Sequence, residues 1–176
     1  ITRAFSRTPS RHSGWTSSGV YVPPGRPIVV TRTDAGTTAV RVRFNMLRGT
    51  TRVWNTNGYD RPSALASNEI DLPPGGAATL SSPHGGPLYV WTAALAADAP
   101  GAGVPVTLTL SGVLDNPLLD TFDEASVVAF SDALTATDSD WVDIRTPFAE
   151  IHSLKSHVID SLARQDGNAS NGYTTA

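Results

Sequence analysis

Val104-Pro-Val-Thr-Leu-Thr-Leu110 places aliphatic side chains at alternate positions, with Thr107 and Thr109 between them. A β-strand turns successive side chains to opposite faces, so this stretch buries one face and leaves a hydroxyl-bearing face outside. Pro105 has no N–H to give to a ladder, which predicts that this end of the strand lies at a sheet edge. Upstream, the same period recurs in short runs separated by Pro and Gly. Val20-Tyr-Val22 stops at Pro23-Pro-Gly25, and Ile28-Val-Val-Thr31 is a β-branched run. Val40, Val42 and Phe44 alternate with Arg41 and Arg43, whose cations are expected to face water. Val53-Trp54 reads as the end of another strand. Glu69-Ile-Asp-Leu72 ends at Pro73-Pro-Gly-Gly76, Ala78-Thr-Leu80 ends before Pro83-His-Gly-Gly86, and Leu88-Tyr-Val-Trp91 follows. Short strands punctuated in this way predict a mostly-β chain built as an antiparallel sandwich, Ig-like or jelly-roll-like.

Beyond the quoted strand the period lengthens. Val127, Phe130 and Leu134 fall on one helical face, with Thr121 or Asp123 placed to cap the start and Asp123 and Glu124 suited to the positive end of the helix dipole. Trp141-Val-Asp-Ile144 and Phe148-Ala-Glu-Ile-His152 return to strand-like alternation, and Ser156–Arg164 reads as a short helix packing Val158, Ile159 and Leu162. One or two short helices are therefore expected in the C-terminal third. Residues 1–18, rich in Arg, Ser, Thr and Gly without periodicity, read as an N-terminal arm or linker pinned by Phe5 or Trp15. The sandwich is expected over 19–164, and 165–176 reads as a linker.

Of the 176 residues 40% are hydrophobic and only 16% charged, with a net charge of −3 and Lys155 as the only lysine. Scattered arginines without a basic block argue against nucleic acid as a partner, because neutralising phosphates needs clustered cations. No apolar run is long enough for a helical membrane span. The absence of cysteine excludes disulfides and thiolate metal sites.

The four histidines are His12, His84, His152 and His157. A His-Glu-x-x-His helix sets two imidazoles on one face, but the nearest pair here, His152 and His157, is five residues apart. That spacing turns them by about 140° on a helix and to opposite faces on a strand. The plainer reading is ordinary histidines, and no metal site is expected in this chain. Asp115, Asp120, Asp123 and Glu124 gather near the strand-to-helix junction, with Asp138 and Asp140 as a second group. A self-contained hydrolase using these acids is one reading; helix capping and solvated turns are the plainer one. No Gly-x-Ser-x-Gly elbow accompanies them. Trp54, Asn55, Tyr59, Asp60 and Arg61 combine flat rings with amide, carboxylate and guanidinium groups, the chemistry that stacks on sugars and reads their hydroxyls. They are the candidates for a glycan contact or, alternatively, for anchoring a neighbouring domain.

Four ordered segments carry a family resemblance. Ser18-Gly-Val-Tyr-Val-Pro-Pro-Gly-Arg-Pro-Ile28 resembles the opening of the enhancin-like (M-sixty-type) zinc metallopeptidase region. Arg52-Val-Trp-Asn-Thr56 with Tyr59-Asp-Arg-Pro62, then Ser82-Pro-His-Gly-Gly-Pro-Leu88, then Asp140-Trp-Val-Asp-Ile-Arg145 with Ala149-Glu-Ile-His152, follow in the order seen in its bacterial immunomodulating metalloprotease branch. The resemblance covers about residues 14–163. It implies a secreted or cell-surface bacterial protein whose β-sandwich precedes a catalytic domain bearing His-Glu-x-x-His and a downstream glutamate, with mucin-like O-glycosylated proteins as substrates. It also implies zinc in that catalytic domain and none here. No catalytic residue of the family falls on a position of this chain. The leading expectation is a non-catalytic accessory domain whose partner is the catalytic domain of the same polypeptide, and through it a glycoprotein substrate. The alternative is a glycan-binding module using the Trp54/Tyr59 loop.

Overall fold

The structure is a computed structural model that describes residues 1–5, 15–45, 67–92, 106–121, 123–146 and 149–167. Two antiparallel sheets form a sandwich. One is ordered β1 (Thr2–Phe5), β8 (Val106–Ser111), β3 (Ile28–Arg32), β6 (Ala77–Leu80). The other is ordered β5 (Ile70–Asp71), β4 (Val40–Phe44), β7 (Gly86–Thr92), β2 (Trp15–Val22), β9 (Leu114–Asp115). The alternating side chains of both sheets meet in one core: Ile28 and Val30 from β3 and Val106, Leu108 and Leu110 from β8 against Val40, Val42 and Phe44 from β4 and Leu88 and Val90 from β7. Each fully buried aliphatic or Phe side chain contributes about 1.5–3 kcal/mol, so the alternation read in the sequence is also the main driving force for the fold.

A second, smaller unit follows. β10 (Leu118–Asp120) pairs parallel with β11 (Trp141–Arg145) through the crossover helix α1 (Glu124–Ala136), and β11 pairs antiparallel with β12 (Glu150–Leu154), which leads directly into α2 (Lys155–Gly167). Phe130 and Leu134 of α1 pack with Val142 and Ile144 of β11 and Val158 of α2. Asp123 caps α1, its carboxylate accepting from the Ala125 N–H at 3.0 Å.

Several expectations change. Residues 2–5 and 15–18 are not an arm: β1 pairs along β8, and β2 begins at Trp15, so their periodicity-poor sequence is held by ladder bonds. For the same reason the Val106 end of β8 is not an edge, because β1 covers it through the Phe5–Val106 pairing. Arg41 stays half-exposed, but Arg43 is buried, its guanidinium 4.0 Å over the Trp15 ring. Val127, Ile159 and Leu162 remain 49%, 44% and 44% exposed, so only part of each helix's apolar set reaches the unit's own core. The Gly85-Gly86 turn is read correctly as a turn. Both glycines have positive φ, and a Cβ at Gly86 would lie 2.1 Å from the Asn45 side chain.

Arg32 is completely buried and spends all five of its N–H groups. Its Nε and Nη2 donate to Asp34, Nη1 to the Thr38 and Leu72 carbonyls, and Nη2 also to the Gly36 carbonyl. Asp34 accepts in addition from the Thr107 and Gly36 N–H groups, tying the β3–β4 connection to β8. The Arg32 guanidinium, helped by these backbone donors, holds the Asp34 carboxyl down at about 2, against an ordinary 3.8. A carboxylate depressed in the folded state stabilises fully above its unfolded pKa and loses that contribution as pH falls towards its folded one. We expect on the order of 2 kcal/mol to be lost between pH 4 and pH 2 through this group. Urea unfolding at pH 5 and pH 2.5 should show that slope, and Asp34→Asn should flatten it; an unchanged slope in the variant would remove Asp34 as its source.

Candidate functional site

The segments Asp140–Arg145 and Ala149–His152 put their polar side chains on one face of the β11–β12 pair. Asp143 pairs with His152 across the ladder and Arg145 with Glu150, while Val142 and Ile144 point to the helices. The polar face sits against β2 at Thr16–Ser17. There the strand is irregular: Gly19 has φ +67°, and the register with β7 shifts between Ser17 and Tyr21, the mark of a bulge. β9 pairs with β2 only at Val20 and Tyr21.

At Ser17 side chains take over the work of a strand. The Ser17 N–H donates to Glu150 Oε2 at 3.1 Å, and the Ser17 carbonyl accepts from Arg145 Nη2 at 3.0 Å. Arg145 Nε donates to Glu150 Oε1 at 3.1 Å and Nη1 to Asp120 Oδ2 at 3.1 Å, while Nη2 also reaches Thr16 Oγ1 at 2.7 Å. Thr16 Oγ1 in turn donates to Glu150. Buried backbone donors and acceptors must find partners, and an arginine–glutamate pair satisfies one of each at once.

Beside this clamp lies Asp143, 1% exposed. Its Oδ2 accepts from the Ser17 hydroxyl and, at 2.7 Å, from Asn116 Nδ2; its Oδ1 stands 2.7 Å from His152 Nδ1. A ring nitrogen facing a carboxylate carries the proton, so Nδ1 is the N–H side of the imidazole. The His152 ring meets Tyr89 of β7 edge-on at 4.9 Å. Asn116 Oδ1 accepts from Ser139, which is fully buried. Asn116 N–H donates to the Gly19 carbonyl, and the Pro117 carbonyl accepts from Asp143 N–H. The single segment 114–120 therefore pairs first with β2 and then with β11, running from one unit into the other.

Ser17, Asp143 and His152 are the residue types of a hydrolytic triad in the wrong order. A nucleophilic serine needs the histidine between it and the carboxylate. Here the buried carboxylate is in the middle, and the serine hydroxyl gives its proton to it. The arrangement binds two units together and has no activated nucleophile. The acids of the strand-to-helix junction are likewise divided: Asp115 pairs with Arg3, Asp120 with Arg145, and Asp123 caps α1. Their separate partners give them separate structural roles, which corrects the reading of them as one hydrolytic group. Among the described residues no group of three metal-ligating side chains stands together. His152 and His157 lie on β12 and α2. Trp54, Asn55, Tyr59, Asp60 and Arg61 lie outside the described residues. Burial, with Asp140 nearby, pushes the Tyr21 phenol up.

The sequence offered Asp143, Arg145, Glu150 and His152 only as carriers of a resemblance. The physical signal was present: charged residues alternate with Val142 and Ile144 on a strand that has a helix on one side, so their face must meet something else.

A model of the N-terminal domain of M60-like peptidases matches residues 2–109. The immunomodulating metalloprotease of Pseudomonas aeruginosa is 34% identical over 159 residues, which is 88% of this chain and 17% of that protein. The solved IMPa metallopeptidase from Pseudomonas aeruginosa superposes with a TM-score of 0.74 at 31% identity, over 95% of this chain and 18% of the other. IMPa in complex with an O-glycopeptide gives 0.73 and 32%, over 95% of this chain and 19% of that one. ZmpB metallopeptidase from Clostridium perfringens, with a TM-score of 0.57 and 15% identity over 88% of this chain and 32% of that one, shares the fold. The chain thus spans about a fifth of the length of the Pseudomonas relative.

Removing one member of the clamp leaves buried groups without partners. Glu150→Ala is expected to cost about 2–4 kcal/mol in urea unfolding, whereas Asp71→Ala, which breaks the exposed pair with Arg41, should cost at most about 1 kcal/mol. Equal small losses at both positions would show that the seam does not hold the units together.

Proposed function

This chain belongs to the N-terminal domain family of M60-like peptidases, and we propose that it is the non-catalytic accessory domain of a longer zinc metallopeptidase that cuts O-glycosylated, mucin-like proteins. In this reading the domain flanks the catalytic region and supports its substrate cleft, and zinc belongs to that region. The observation that carries the proposal is the seam. Asp143, Arg145, Glu150 and His152 of the C-terminal family segments are all engaged in holding one unit of this chain to the other. A rigid two-unit body suits a support, because a cleft built against it keeps its shape. The O-glycopeptide bound by the relative IMPa supports the substrate class. A secreted or cell-surface location fits that substrate, and no described helix is long and apolar enough to cross a membrane.

Within the same proposal Trp54, Asn55, Tyr59, Asp60 and Arg61 provide a glycan or interdomain contact. Among the described residues that flank them in sequence, the Ser67 N–H donates to the Phe44 carbonyl and the Phe44 N–H to Ser67 Oγ.

The 176-residue chain alone should leave a mucin-type glycopeptide intact and show no stoichiometric zinc in a titration, whereas the longer polypeptide should cut the peptide and bind zinc. Cleavage with tight zinc binding by the chain alone would overturn the proposal.

A further inference from the structure

The layers of the molecule end on an apolar surface. One face of the β10–β11–β12 sheet sits on the sandwich through the seam, and the other carries α1 and α2. The helices are the outermost layer, and their outward side would ordinarily be polar. Instead, among the described residues six of the eight exposed large hydrophobics come from this one unit: Val127, Val128, Ile151, Leu154, Ile159 and Leu162. Val128 is 76% exposed. Val127 lies one turn before the buried Phe130 and Val128 is turned about 100° from it, so α1 is apolar on two sides. Ile159 and Leu162 are one turn apart on α2, beside the inward Val158, and widen its apolar arc beyond what the unit covers. On β12, Ile151 pairs with Ile144 on the helix side of the sheet, whereas Leu154 shares the face of His152 at the end of the strand. Apolar exposure concentrated on one unit marks a surface that meets another protein surface.

We propose that the outward side of α1 and α2, with Ile151 of β12, is the surface on which the catalytic region of the same polypeptide packs. The inference rests on the accessory-domain reading and names the surface by which that role is carried out. Two observations select this occupant. The Pseudomonas relatives continue over more than four-fifths of their length outside the matched part, and the match includes the helices because it covers 95% of this chain. Secondly, α1 carries Glu124 and Asp132 and no basic residue, so a symmetric contact of α1 with α1 of a second copy would set acid against acid. α2 adds Lys155 and Arg164 besides Asp160, so the surface is apolar with margins of both signs.

The test is amide hydrogen exchange on this chain alone and on the longer peptidase, each with and without Val128→Asp plus Ile159→Asp. Both positions are exposed, so the isolated fold should tolerate them, and Val128→Asp alone decides the matter if the pair unfolds. In the longer protein residues 124–136 and 155–167 should exchange at least about tenfold more slowly than in the chain alone, and the substitutions should abolish the difference while the sandwich exchanges as before. Equal helix exchange in both proteins, with protection on another face, would overturn this surface and leave the accessory role standing. Concentration-dependent helix protection in the chain alone, with a dimer in light scattering, would overturn it in favour of a second copy. Glycopeptide cleavage by the chain alone would instead sink the accessory role.

Discussion

Ser17 has a backbone N–H and a backbone carbonyl that no strand pairs on the far side of β2, and the Arg145–Glu150 clamp supplies both. The placement of the second unit depends on this exchange. β9 pairs only Val20 and Tyr21 of β2, a guanidinium and a carboxylate take the place of a strand at Ser17, and the two side chains are also bonded to each other. Arg145 is anchored from behind by Asp120, so its position is fixed by β10 as well as by β11. The price of burying these charges is met by hydrogen bonds to nearly every available atom, which is the condition under which buried ion pairs persist. Asp143 extends the same logic, with three side chains converging on one buried carboxylate.

Arginines organise this chain at three depths. Arg32 is fully buried and gathers a loop around itself with Asp34. Arg43 places its guanidinium 4.0 Å over the Trp15 ring, whose π face offsets part of the cost of leaving water. Arg145 stands between the units and joins them. A lysine at any of the three would keep the charge and lose the planar, several-donor geometry on which the site depends. Among the described residues these three arginines fix the interior, a task to which a lysine's point charge is not suited.

Much of the sandwich was legible because the core strands obey a period of two. β3, β4, β7 and β8 lie where alternation placed them, and the Asp123 cap and the α1 start follow from side-chain chemistry. What escaped was governed by contacts distant in sequence. β1 has four residues and no internal pattern, and becomes a strand only because β8 is there to pair with it. Arg43 looked like a solvent-facing cation because nothing local announces the Trp15 ring. The seam was visible only as a set of charged residues alternating with aliphatics, since Ser17 and Glu150 are separated by 133 residues. Exposed Val127, Ile159 and Leu162 show the converse: helical periodicity identified the apolar residues but could not divide them between an inner core and an outer surface.

The central claim is that the second unit is locked to the sandwich and opens only with it. Native-state hydrogen exchange of the Ser17 amide measures this directly, since that N–H is held by Glu150 alone across the seam. The account predicts that Ser17 exchanges with the same opening free energy as the amides of the β4–β7 ladder in the sandwich core. Exchange of Ser17 through a low-energy local opening, with the β4–β7 amides still protected, would contradict it.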